Sequence, residues 1–186
     1  MGVTPDDIDR LYRETDDPWN FRHSPYEQAK FAATRAALGG ARFRSGLEVG
    51  CGNGALARHL APDCDAYTGF DASARALDAA RLALPSARFV QGWFPCALPE
   101  GDHDLIVLSE VLYFLDPEGL RTLARQVALR WPMATLLCVT WLGDTGHDLQ
   151  GEAALAAFRA ALPPGRNLDL VGCTDAYRID LAGAPA

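Results

Sequence analysis

The chain has 186 residues, 49% hydrophobic and 22% charged, the balance of a soluble globular protein with enough interior for a proper core. Its net charge of −7, from 24 acids and 17 bases, argues against a nucleic-acid backbone as the main partner. No run approaches the roughly 18 apolar residues of a membrane span, and Met1 to Asp9 is acidic and polar, unlike a signal peptide. Gly2 is followed by Asp6 where a myristoylation motif wants Ser or Thr, so a cytoplasmic location is expected. Five cysteines and four histidines are widely scattered, with no C-x-x-C or H-E-x-x-H. Neither a disulfide framework nor a metal site is therefore expected.

Ile8, Leu11 and Tyr12 stand at helical spacing near the start. A polar and aromatic stretch follows, Asp16-Asp17-Pro18-Trp19-Asn20-Phe21, and reads as loop. Ser24-Pro25-Tyr26-Glu27 opens the next helix with a capping residue, a proline at the first helical position and a glutamate completing a capping box. This helix is expected to stop at Gly39-Gly40. From residue 45 strands and helices alternate. Strands are expected at Gly46 to Val49, Ala66 to Asp71, Arg88 to Gln91, Asp104 to Ser109, Leu136 to Thr140, Leu168 to Gly172 and Tyr177 to Leu181. The intervening helices run from Gly54 to Leu60, from the Ser73 cap to Leu82, from Asp116-Pro117 to near Arg130, and from Glu152 to Leu162.

Such alternation predicts an α/β, Rossmann-like, doubly wound and mostly parallel sheet of seven strands, closed by an antiparallel hairpin. A single domain over 1–186 is expected, with residues 1–43 as an N-terminal helical lid and 44–181 as the ligand-binding core. Ligands of such a sheet sit at the carboxyl ends of its strands.

The strongest motif is Leu47-Glu48-Val49-Gly50-Cys51-Gly52-Asn53-Gly54, which follows a strand and opens a helix. Its glycines turn the chain and admit a ligand close to the backbone. Asp71, 17 positions after Gly54 at the end of the second strand, is placed to accept from ribose hydroxyls, so an adenine nucleoside is the expected ligand. Gly50, Gly52 and Ala55 also satisfy the dinucleotide fingerprint, but Glu48 would repel a pyrophosphate. Beside an amino acid's ammonium it is useful, which favours S-adenosylmethionine over a nicotinamide dinucleotide.

With Asp71, this E-V-G-C-G-N-G run resembles class I S-adenosylmethionine-dependent methyltransferases over residues 44 to 181. Ser109-Glu110-Val111-Leu112-Tyr113-Phe114-Leu115, Asp17-Pro18-Trp19 and Ser24-x-Tyr26-Glu27 narrow the likeness. That set is similar to the nodulation protein S family, which N-methylates an amino-sugar end. The resemblance implies that Glu48, Gly50, Gly52 and Asp71 bind the cofactor. It also implies that Trp19 covers the cofactor, that Arg35 reaches its carboxylate, and that Cys51, Ala72, Gly92, Trp93 and Ser109 complete the contacts. One departure stands out. Many members carry an acid after the third strand for the adenine amino group, whereas Gln91-Gly92-Trp93 stands here. The Gln91 amide or the backbone of Gly92 and Trp93 must substitute.

Glu110 and Tyr113 follow the fourth strand, where an acceptor would meet the sulfonium. Glu110 is the candidate to take a proton from an acceptor amine, and Tyr113 to orient it or pack beside the positive charge. The competing readings are a turn cap for Glu110 and core packing for Tyr113. His23 and His147 lie in loops that reach toward the same mouth, and Trp19, Phe21, Tyr26, Trp93 and Trp141 offer stacking surfaces. The expected activity is N-methylation of a small molecule such as an amino sugar. The alternatives are a small-molecule O-methyltransferase, a nucleotide-binding oxidoreductase and a non-catalytic binding module.

Overall fold

The computed structural model describes residues 4–183; the expectation for Gly2 lies outside the described residues. Helix α1 (Pro5–Tyr12) starts from a full capping box between Thr4 and Asp7. Helix α2 (Pro25–Ala37) is capped by Ser24, whose hydroxyl accepts from the Glu27 backbone N–H at 3.3 Å. The expected second half of that box is missing, because the Glu27 carboxylate turns inward to Lys30 instead.

Strand β1 (Phe43–Val49) is followed by α3 (Ala57–Leu60), β2 (Cys64–Asp71), α4 (Ala74–Ala83), β3 (Arg88–Gln91) and β4 (Leu105–Ser109). The chain then runs through α5 (Pro117–Arg130), β5 (Thr135–Trp141), α6 (Gly151–Ala161), β6 (Asp169–Cys173) and β7 (Tyr177–Ala182). Most bounds shift by one or two residues, and two starts shift by three. β1 begins at Phe43 because its pairing with β2 already starts at Cys64. The helix after β1 begins at Ala57, since Gly54 has φ +76° and cannot sit inside a right-handed helix.

The seven strands lie in the order β3-β2-β1-β4-β5-β7-β6. β1 to β5 are parallel, and β7 runs antiparallel to both β5 and β6. β4 shows why the sheet is covered on both sides. Ile106 and Leu108 pack with Leu120, Leu123 and Val127 of α5 and Phe158 of α6, while Leu105 and Val107 join Phe31 of α2 and Leu60 of α3. All four strand residues are fully buried, as a parallel strand between two helical layers requires. The strand order reverses between β1 and β4, so their carboxyl ends open a crevice at the centre of the sheet. No helix among the described residues is long and apolar enough to cross a membrane.

Candidate active site

A cavity of about 820 Å³ occupies that crevice, roofed by α1, α2 and the loop between them. Its volume is in the range of small-molecule sites. Gly50 leaves β1 with φ +78°, and a Cβ there would stand 2.6 Å from Val111 Cγ2 in the segment after β4. Gly52, at φ +51°, lies under the Tyr12 hydroxyl. Gly50 thus lets the β1 loop meet the segment after β4 at the switch point, and Gly52 lets α1 settle on the same loop.

Glu48, Gly50, Cys51, Gly52, Asp71, Ala72, Gly92, Trp93 and Ser109 all line the cavity, as does Trp19. Asp71 accepts from the Gly52 N–H at 2.8 Å and the Ser73 N–H at 2.9 Å, one on each carboxylate oxygen. Burial nevertheless pushes its pKa above the ordinary carboxylate value. Glu48 is buried and accepts from the Tyr67 hydroxyl at 2.9 Å. Desolvation raises its pKa to about 8, against the lowering effect of the Tyr67 hydrogen bond, and the charge of Asp71 adds to the rise. The Gly92 N–H is engaged by the Asp71 carbonyl at 3.0 Å, and the Gln91 amide donates to the Ala72 carbonyl at 3.1 Å. Gln91 does not line the cavity, so Gly92, with its N–H already engaged, and Trp93 are the parts of this segment that face it.

Arg35 departs from expectation. Its guanidinium forks onto Asp63 at 2.6 and 2.8 Å on the outer side of α2, away from the cavity. It lies five residues, more than one helical turn, beyond the cavity-lining Lys30, and the Asp63 fork holds it there. His23 is exposed and also lies outside the cavity, whereas His147 lines it and packs on Phe114 and Tyr113 with ring centroids 4.8 and 6.0 Å apart.

On the β4 side, Glu110 and Tyr113 both line the cavity. Glu110 has φ +52°, an uncommon backbone state for a residue with a side chain. Its Oε1 receives the Lys30 ammonium at 2.8 Å. Burial raises its pKa, the Lys30 charge and hydrogen bond lower it, and the charge of Glu27 raises it again. Tyr113 is held above its ordinary value, mainly by burial and then by the charges of Glu110 and Glu27.

Two contributors were not anticipated from sequence. Tyr12 is buried at the glycine loop and meets Trp19 edge-on at 5.7 Å. Lys30 is buried between Glu27 Oε2 and Glu110 Oε1, 2.8 Å from each. A signal existed for it. Sixteen of the 17 basic residues are arginine and Lys30 is the one lysine. It also shares an inward stripe with Glu27, Phe31 and Thr34.

Comparison with known proteins agrees with this geometry. The family model for Nodulation protein S (NodS) matches residues 4–138. The chain belongs to the nodulation protein S family. It is 32% identical over 162 residues to nodulation protein S of Bradyrhizobium diazoefficiens, covering 79% of this chain and 75% of that one. Its fold superposes with a TM-score of 0.78 on the N-methyltransferase NodS from Bradyrhizobium japonicum WM9, solved in complex with S-adenosyl-L-homocysteine. The two are 25% identical, over 95% of this chain and 97% of that one. A putative methyltransferase from Pseudomonas syringae is 33% identical with a TM-score of 0.70, over 84% and 97% of the two chains. Membership makes the chain an enzyme, an S-adenosylmethionine-dependent methyltransferase. This removes the oxidoreductase and passive-binder alternatives.

Proposed function

We propose that the chain N-methylates a small acceptor amine, such as an amino sugar. S-adenosylmethionine would lie against the glycine loop and the acceptor against Glu110. The cradle fits the cofactor: two glycines in left-handed conformation, a buried carboxylate at the end of β1 and a half-buried one at the end of β2. When bound, S-adenosylmethionine supplies a methyl carbon on a sulfonium that accepts the amine lone pair as the carbon–sulfur bond breaks.

In this reading Asp71 takes the ribose hydroxyls on the lone pairs that Gly52 and Ser73 leave open. Glu48 faces the ammonium of the methionine moiety. Trp19, stacked on Phe21 at 5.5 Å and braced by Tyr12, covers the site from the lid. Cys51, Ala72, Gly92, Trp93 and Ser109 supply the remaining walls. The N-terminal segment acts as lid to a single methyltransferase domain, excluding water from the reacting groups.

The observation that carries the choice of an amine is Glu110. Its Oε1 is taken by Lys30, and no donor among the described residues engages Oε2. Oε2 can therefore take the proton that the acceptor nitrogen sheds. Tyr113 orients the acceptor, with Trp141 and His147 as further walls. The Bradyrhizobium japonicum relative is an N-methyltransferase, which supports the same choice. A cytoplasmic setting fits five cysteines that are all free thiols.

The test is methyl transfer from labelled S-adenosylmethionine to a panel containing an amino sugar, its N-acetylated form and its hydroxyl analogue. Transfer to the free amine alone is expected, with E110Q slowed by about 10²-fold or more. Transfer to the hydroxyl analogue at equal rate would make the enzyme an O-methyltransferase instead.

A further inference from the structure

The chain uses arginine wherever it needs a surface cation and keeps its one lysine for the interior. Lys30 has a side chain only 2% exposed, and its ammonium lies 2.8 Å from both Glu27 Oε2 and Glu110 Oε1. It also sits 5.4 Å from the centre of the Tyr26 ring. Among the described residues lining the cavity it is the only lysine or arginine. An ammonium is a compact point charge with three donors, which suits a position between two carboxylates better than a planar guanidinium.

We propose that Lys30 is the positioning residue of the acceptor site: clamped between Glu27 and Glu110, it holds the Glu110 carboxylate in place and ionised for proton transfer. The inference rests on the reading of Glu110 given above. Glu110 needs such a partner for two reasons. Its backbone is in a left-handed conformation, and a buried carboxylate without a cation takes up a proton and loses its capacity as a base. Glu27 has a complementary part. It anchors the far side of the ammonium from the same helix, so Lys30 cannot swing toward the acceptor. With one cation for two acids the cluster keeps a surplus negative charge, which favours an acceptor that becomes positive as it is methylated.

The groups that bear on Glu110 can be named. Glu27, Lys30 and Tyr26 face it from α2, and Tyr113 from the turn that follows it. Glu48 at the end of β1, Asp71 at the end of β2 and His147 before α6 line the same cavity. Lys30 is the one that favours its charged form, and Glu27 opposes it.

The test compares E27Q, K30M and E110Q by two readouts. The first is the acid limb of kcat/KM for the acceptor. The second is the side-chain NMR signal of protein labelled at lysine, which a single lysine reduces to one resonance. In the unmodified protein that resonance is expected to report the ionisation of Glu110, and in E110Q the step disappears. K30M removes the favourable charge, so the acid limb moves up by about one pH unit and kcat/KM falls about tenfold at pH values below the limb. E27Q removes a repelling charge, so both the limb and the Glu110 step in the lysine resonance move to lower pH. S-adenosylmethionine affinity by calorimetry is expected to stay within about twofold in both variants, since neither side chain belongs to the proposed cofactor cradle.

K30M strands two half-buried acids; if it fails to fold, E27Q and the lysine resonance decide the question alone. An unmoved limb and an unmoved Glu110 step in the lysine resonance of E27Q overturn the clamp. E110Q that is slow while E27Q and K30M keep the normal limb overturns the clamp but leaves Glu110 as the base. E110Q with full turnover overturns the role of Glu110 itself, and the clamp falls with it.

Discussion

Asn53, in the glycine loop, donates its side-chain amide to the Asp17 carboxylate and to the Asp16 carbonyl, each at 3.1 Å. Asp17 in turn accepts from the Phe21 and Arg22 N–H groups at 2.8 and 3.0 Å. The loop that carries Trp19 is therefore tied to the cofactor loop through one buried amide. Asn53→Ala removes both bonds, and each is worth about 1 kcal/mol net. The expected result is a KM for S-adenosylmethionine raised several-fold with the fold intact, measured by steady-state kinetics alongside circular dichroism. An unchanged KM would mean that the lid's other contacts hold the Trp19 loop in place without this amide.

Asp71 is the second anchor of the proposed cradle. Asp71→Ala removes the proposed ribose acceptor and also frees the Gly52 and Ser73 N–H groups that its carboxylate now holds. Binding of S-adenosylhomocysteine should weaken by about 1.5–3 kcal/mol, the scale of hydrogen bonds to a charged group. Calorimetric titration measures it directly. Asp71→Asn keeps one acceptor oxygen and should fall between the two.

Gly50→Ala tests why a glycine stands at the switch point. The substitution meets two penalties, a positive φ and a Cβ 2.6 Å from Val111 Cγ2. Together they should cost roughly 2–5 kcal/mol. Gly39 also has positive φ, +63°, but a Cβ added there would meet nothing within 4 Å. Gly39→Ala should therefore cost only about 1–2 kcal/mol. Thermal or denaturant unfolding of both variants separates the backbone part from the steric part.

The sheet was legible because its signals are local. D-L-I-V-L-S at 104–109 reads as a strand buried on both faces, and Ser73, Ser24 and Asp116 do cap α4, α2 and α5. Strand ends were less legible, since the extension of β1 to Phe43 depends on where β2 lies. The glycine loop was legible for the same local reason, and its Gly50, Cys51 and Gly52 line the cavity. The acceptor side was only partly so. Glu110 stands in a readable motif, but its partner Lys30 is 80 positions away in sequence, and only tertiary packing brings α2 over the end of β4. Arg35 shows the converse error. Sequence places a cation on the lid helix, but the direction it faces depends on Asp63 at the end of the turn after α3, which claims it. Arg35→Ala is accordingly expected to leave the affinity for S-adenosylmethionine unchanged in the same calorimetric assay.

With the ammonium placed as proposed, Glu48 would link cofactor binding to pH. Its folded pKa of about 8 lies above the ordinary glutamate value of 4.5, with desolvation as the main cause. Between those values the folded state holds a proton that the unfolded chain has lost. The contribution of Glu48 to stability is thus fully present below about pH 4.5 and is lost as pH rises through about 8. Binding acts in the other direction. An ammonium beside Glu48 favours its ionised form, so near pH 7 the cofactor should displace a proton from the carboxyl group. Calorimetry in buffers of different ionisation enthalpy should reveal this as a fraction of a proton released per S-adenosylmethionine bound, declining above pH 8. Glu48→Gln should abolish the release and weaken binding, while gaining stability at alkaline pH relative to the parent. Proton release that persists in Glu48→Gln would assign it to Asp71, whose burial also raises its pKa, and would move the ammonium away from the end of β1.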